Sequence, residues 1–158
     1  MSNSSVRKQT LGEIEKKEEM NENVNKELLI LVNVLLHASY QFIFLSVLSK
    51  SFKMPGTSWI TLKKDGKCRD GAVDILDWIK ENRGYVELAD ISKPKFEESE
   101  INSEFVLRRW DEVEKWIKTN IDDVREKVKE TNYDDKKKTE IRQVLSNIST
   151  SIMSMSNN

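Results

Sequence analysis

Chemistry usually rests on the scarce side chains, and here they are few: one histidine, one cysteine and four tryptophans. His37 lies in LLHASY. No second His or Cys stands at the short spacings that metal sites use, so a hydrogen-bonded structural residue is the plainer reading. Cys68 sits between Lys67 and Arg69 in DGKCRDG. Cations beside a thiol lower its pKa and make it reactive, and an ordinary thiol in an irregular segment is the alternative. Trp110 and Trp116 invite stacking on a ligand, yet their helical spacing favours packing in a core or groove. The run EIEKKEE, residues 13–19, resembles a partner-binding arm, although most such runs are solvated helix or disorder. The chain shows no P-loop, no Gly-rich dinucleotide turn, and no Ser/His/Asp or Cys/His set. With one imidazole, acid–base catalysis would fall to carboxylates, and no close carboxylate pair in an apolar setting is evident.

The elements that must position these residues are bounded by composition. The 158 residues suffice for one domain with a core. Charged residues make up 34%, against five Gly and two Pro, a mix that suits helical bundles rather than turn-rich β folds. Lys and Arg (26) nearly balance Asp and Glu (27), which leaves no overall basic field for nucleic acid. A lone cysteine rules out an intramolecular disulfide and suggests a reducing, cytoplasmic setting. The polar first 27 residues do not read as a signal peptide, so the N-x-S matches at Asn3 and Asn147 read as chance.

Residues 28–48, LLILVNVLLHASYQFIFLSVL, contain no Asp, Glu, Lys or Arg. About 20 apolar residues cross a bilayer, so length alone allows a span. Asn33, His37, Tyr40 and Gln41 recur at helical spacing and form a polar stripe that lipid would penalise. A bundle helix is therefore preferred to a membrane span. Pro55 and Gly56 mark the next turn. Residues 58–64 start a second helix that DGKCRDG, 65–71, interrupts, as a break or as a distorted turn within it, before Ala72, Ile75, Leu76 and Ile79 resume it. Arg83-Gly84 ends it in the manner of a glycine C-terminus. An extended connection runs to Pro94. Val106, Trp110, Val113, Ile117, Ile121, Val124 and Val128 then form an apolar stripe, with Glu112–Lys115 and Glu126–Lys129 as candidate pairs across a turn. Asp134 or Asp135 caps a last helix carrying Ile141, Leu145, Ile148, Ile152 and Met155. The expectation is an all-α four-helix bundle over residues 23–156 behind a polar arm, 1–22, with helices near 23–52, 57–83, 99–131 and 136–156. One long crossover joins the second helix to the third.

On that frame the chain resembles the ferritin family from Asn23 to about Thr150. Asn82, Arg83, Gly84, Leu88, Asp90, Ile91, Lys93 and Pro94 follow the order of the ferritin second-helix terminus and its long loop. Ala38-Ser39-Tyr40 resembles the first ferritin helix, and EKWIKTNIDDVREKV the third. The resemblance implies a di-iron ligand set, carried over position by position. Leu35 stands where the first-helix glutamate would be, and Phe42 where the tyrosine would be. Cys68, Arg69 or Asp70 stands for the second-helix glutamate, and Gly71, Ala72 or Val73 for its histidine. Glu114 matches the third-helix glutamate, and the last-helix glutamine falls near Ser149. Glu114 is the ligand position retained, and Asp70 is the second candidate metal ligand.

A single carboxylate does not build a di-iron centre, so the resemblance implies a non-catalytic subunit, comparable to a ferritin light chain, in iron storage and homeostasis. No cofactor is required, and iron enters by resemblance alone. The expected partners are copies of itself or other ferritin-type subunits, not nucleic acid or membrane. Two departures from the family stand out: Lys136, Lys137, Lys138 and Arg142 where ferritins line a cation channel with acids, and no fifth helix before Asn158. They favour an alternative, a helical interaction module that has left iron biology. A single-span protein anchored by residues 28–48 is the third reading.

Overall fold

The computed structural model describes residues 19–154. It contains helices α1 (Glu22–Ser51), α2 (Pro55–Glu81), α3 (Ser103–Glu130) and α4 (Asp135–Met153), with a short 3₁₀ turn at Glu98–Glu100. No strand occurs among the described residues. Residues 1–18 of the polar arm and Met155 lie outside them.

Each start has a local cause. Asn21 accepts from the backbone N–H groups of Asn23 (2.9 Å) and Val24 (3.1 Å), Asn102 from that of Phe105 (2.8 Å), and Asp134 from that of Lys137 (3.0 Å). These bonds satisfy donors that have no partner inside a helix. Asp134, not Asp135, is thus the cap of α4. Helix α2 opens on Pro55, whose missing N–H costs nothing at a first position. The expected turn at Pro55-Gly56 therefore lies just before it, at Phe52–Met54.

Helices α1 and α2 end alike. Lys53 and Arg83 adopt left-handed φ values of 57° and 63°. The next N–H reaches back to a carbonyl five residues earlier: Met54 to Ser49 at 2.8 Å, Gly84 to Ile79 at 2.8 Å. This is the Schellman arrangement. The left-handed residue is Arg83 rather than the expected Gly84. Gly84 is required for another reason: a Cβ there would lie 2.3 Å from Asn25 Oδ1 and 2.5 Å from Ile79 Cγ2.

The helix directions follow from their side-chain bonds. Ser39 meets Asp65 and Ser46 meets Ser58, so α1 and α2 are antiparallel. Glu27 meets Lys127 and Gln41 meets Arg109, so α1 and α3 are antiparallel. Lys67 meets Ser151 and Lys137 meets Asn82, so α2 and α4 are antiparallel. Between α2 and α3 the chain returns along α1. Buried Asn25 exchanges two 3.0 Å bonds with the backbone of Tyr85, Asn33 donates to the Asp90 carbonyl at 3.4 Å, and Phe44 stacks on Phe96 at 4.7 Å. The result is a four-helix bundle with one long crossover.

The core is continuous, with Leu31, Leu35 and Phe42 from α1, Ala72, Ile75 and Ile79 from α2, Ile117 and Ile121 from α3, and Leu145 and Ile152 from α4. Helix α1 is long and apolar enough to cross a membrane, and half of its most apolar window is buried within the bundle. Its polar stripe meets the crossover at Asn33 and α3 at Gln41, which receives a 3.3 Å bond from Arg109.

The interruption at 65–71, read as a break or a distorted turn, is neither: α2 is helical throughout. Gly71 serves the packing, since a Cβ there would meet Ile148 at 3.0 Å and Leu35 at 3.5 Å. The long helix holds because tertiary burial outweighs local propensity, which glycine lowers by about 1 kcal/mol relative to alanine. The expected Glu112–Lys115 pair is replaced as well. Glu112 faces Arg108 (3.7 Å) and Arg109 (3.4 Å), and Lys115 faces Asp111 (2.8 Å).

Candidate functional site

The unbroken α2 brings an unexpected side chain inward. Lys64 lies immediately before the segment read as irregular, and its side chain is fully buried. Its ammonium stands 2.7 Å from Glu114 Oε1, donates to the Ile152 carbonyl at the end of α4, and lies 6.0 Å from the centre of the Trp110 ring. Trp110 Nε1 donates to the same Glu114 oxygen at 2.7 Å. Three helices therefore converge on one ion pair in the core. Burying a charge is costly unless it is paired and hydrogen-bonded, and both requirements are met here.

A second buried carboxylate follows directly. Asp65 is 2% exposed and accepts from the Ser39 hydroxyl on α1. It also accepts from Arg69 Nε (3.1 Å) and Nη2 (3.0 Å), one turn on in α2. The Arg69 pKa is raised, first by the hydrogen bond to Asp65 and then by its charge. Its guanidinium is largely exposed, so this pair ties the core to the surface.

Cys68 lies on the same inward face with no exposure. Burial pushes its thiol up to about 12, against a smaller lowering by Lys64. Of its basic sequence neighbours, Arg69 turns to Asp65 and Lys67 to Ser151. A thiol held neutral and sealed from water is not a nucleophile.

The ligand positions implied by the resemblance now have places. Leu35 and Phe42 are fully buried apolar residues. Glu114 faces the core. Asp70 is exposed, as are Arg69 and Val73, whereas Cys68, Gly71 and Ala72 point inward. Asp70 and Glu114 are not brought together. The α2 side chain that meets Glu114 is Lys64, which none of the three registers contained. A signal was present: the inward spacing Ala72, Ile75, Ile79 continues backward through Cys68, Asp65, Lys64 and Thr61. Two glycines and four charges in DGKCRDG obscured it.

These residues do not fit a di-iron centre. Glu114 Oε1 already receives an ammonium and an indole N–H, and the corresponding α1 positions, Leu35 and Phe42, offer hydrocarbon. No group of three or more His, Cys, Asp or Glu side chains able to hold a metal occurs among the described residues. His37 meets the Trp116 ring edge-on at 6.2 Å, in an open groove of about 260 Å³ that Gln41 and Arg109 also line. Trp110 is core, and Trp116 is 40% exposed at that groove.

No protein-family model matches the chain, and no curated protein matches it in sequence.

Proposed function

We propose that the protein is a non-catalytic, ferritin-type structural subunit of the cytoplasm, acting in iron storage by packing and assembly rather than by oxidising iron. The observation that carries this reading is the buried Lys64–Glu114 pair. A carboxylate at the retained ligand position is neutralised by the protein's own cation, so the bundle holds together without a metal to balance it. The single long crossover between two antiparallel helix pairs agrees with ferritin-like topology. Iron contact, if the subunit makes any, falls to surface carboxylates and not to the bundle interior.

The test is mass in solution, measured by light scattering on a size-exclusion column. The protein is run alone and after co-refolding with an active ferritin subunit. A shell-sized particle, alone or only when mixed, is the expected result. A monomer or dimer that ignores the ferritin subunit overturns it. That outcome favours the second reading, a helical interaction module outside iron biology, for which the basic start of α4 (Lys136, Lys137 and Lys138) speaks.

A further inference from the structure

The basic start of α4 gains a second half from α3. A cavity of about 230 Å³ opens between the two helices, and four cationic side chains line it against one carboxylate: Arg125, Lys129, Lys138 and Arg142 with Glu126. Two of the cations are fixed in place. Arg125 donates to Ser146 Oγ at 3.0 Å and to Asp122 at 3.4 Å, and its buried Nε meets no acceptor. Lys138 donates to the carbonyls of Lys129 and Thr131, closing the end of α3. The side chains of Lys129 and Arg142 are exposed and form no ion pair among the described residues, so the Glu126–Lys129 pair expected from sequence is absent. Val128, Ile141 and Leu145 give the cavity an apolar floor, which strengthens charge interactions above it.

We propose that this cavity binds a small phosphate monoester dianion. Clustered cations with spare donors, two of them planar arginine forks, match the geometry of phosphate oxygens. The volume falls below the roughly 300–1,000 Å³ of drug-sized sites, so a compact phosphate group fits and a whole nucleotide does not. The proposal does not depend on an iron role, because none of the four cations belongs to the buried core of the bundle.

The full-length protein is titrated with inorganic phosphate at constant ionic strength, chloride replacing phosphate, with calorimetry and amide NMR shifts as readouts. Saturable binding with shifts centred on residues 125–145 is expected. Arg142→Gln is the primary variant, because that side chain is exposed and forms no ion pair among the described residues, so its loss is expected to leave folding intact. It is expected to weaken phosphate binding about tenfold, the worth of one charge-assisted contact. Lys136→Gln, exposed and outside the cavity, is expected to change binding by less than about twofold. Arg125→Gln gives a second, independent loss. A non-saturating response, or equal weakening by Arg142→Gln and Lys136→Gln, overturns the site in favour of diffuse surface charge. Vesicles containing phosphatidic acid separate the two sources of the dianion. Retention released by free phosphate assigns a lipid headgroup, and saturable phosphate binding without retention assigns a soluble ester.

Discussion

The Lys64–Glu114 pair sets up a stability argument that an ordinary surface bridge does not. Lys64 has no exposure, and Glu114 has little. Removing one partner of a buried pair typically costs about 3–5 kcal/mol, because the other charge is left uncompensated. Replacing both partners is often close to neutral. Lys64→Met is therefore expected to destabilise the protein by about 3 kcal/mol, and Lys64→Met with Glu114→Gln to recover most of that loss. Part of the single-variant cost belongs to the Ile152 carbonyl, which loses its donor, and this part cancels in the double-mutant cycle. Urea unfolding of the four proteins measures it. A coupling energy near zero would show that the pair does not act as a unit and would remove the observation on which the functional reading rests. Sequence reading reached only half of this pair. Glu114 was visible because a pattern pointed to it, while Lys64 was not, because long flexible cations are almost never fully buried. What makes burial tolerable, the Trp110 face, the α4 carbonyl and Glu114, comes from residues far away along the chain.

At the scale of helices, the same substitution has opposite signs at two glycines. Gly66 lies inside α2 with nothing within 4 Å of where a Cβ would be. Gly66→Ala is expected to stabilise the protein by about 1 kcal/mol, since alanine restricts the unfolded chain and suits a helix. Gly84 follows the left-handed Arg83, and its missing Cβ lets Asn25 close on the start of the crossover. Gly84→Ala is expected to destabilise by roughly 2 kcal/mol or more, by breaking the buried Asn25 pair with Tyr85. Paired thermal melts give both signs in one experiment. A loss at both positions would mean that α2 is strained at 65–71, as its composition suggests. Helices α3 and α4 were legible because charged faces set off their apolar stripes. The extent of α2 was legible too, but the side it buries in its first half was not, because the inward side chains there are Ser58, Thr61, Lys64, Asp65 and Cys68, which do not register as a hydrophobic face. The crossover was legible as extended chain, but its path along α1 depends on Asn25, Asn33 and Phe44, which no local pattern announces.

For the whole molecule, the question is what the bundle leaves uncovered. Val47 is 60% exposed, Trp59 59%, Leu62 50% and Ile43 41%. The antiparallel register fixed by Ser39–Asp65 and Ser46–Ser58 brings Ile43 within about one residue of Leu62 and Val47 within about two of Trp59 along the helix pair. Four large apolar side chains thus gather where the end of α1 meets the start of α2. Lys63 lies over the Trp59 ring at 5.1 Å and covers part of it. Scattered surface apolar residues need no explanation, but exposed apolar side chains on neighbouring helices, a tryptophan among them, are typical of a contact surface. If the chain assembles as proposed, this patch is where a neighbour gains the most from excluding water. Leu62→Glu is then expected to lower the particle mass while leaving the helical circular dichroism signal and the melting midpoint nearly unchanged, because Leu62 is half-exposed and outside the core. Asp70→Asn, also exposed on α2 but beyond the patch, serves as the control and is expected to leave the mass alone. A particle that keeps its full mass in the Leu62→Glu variant would place the assembly contact elsewhere. A wild-type chain that is already monomeric would leave the patch without a partner and, with it, the shell-subunit reading.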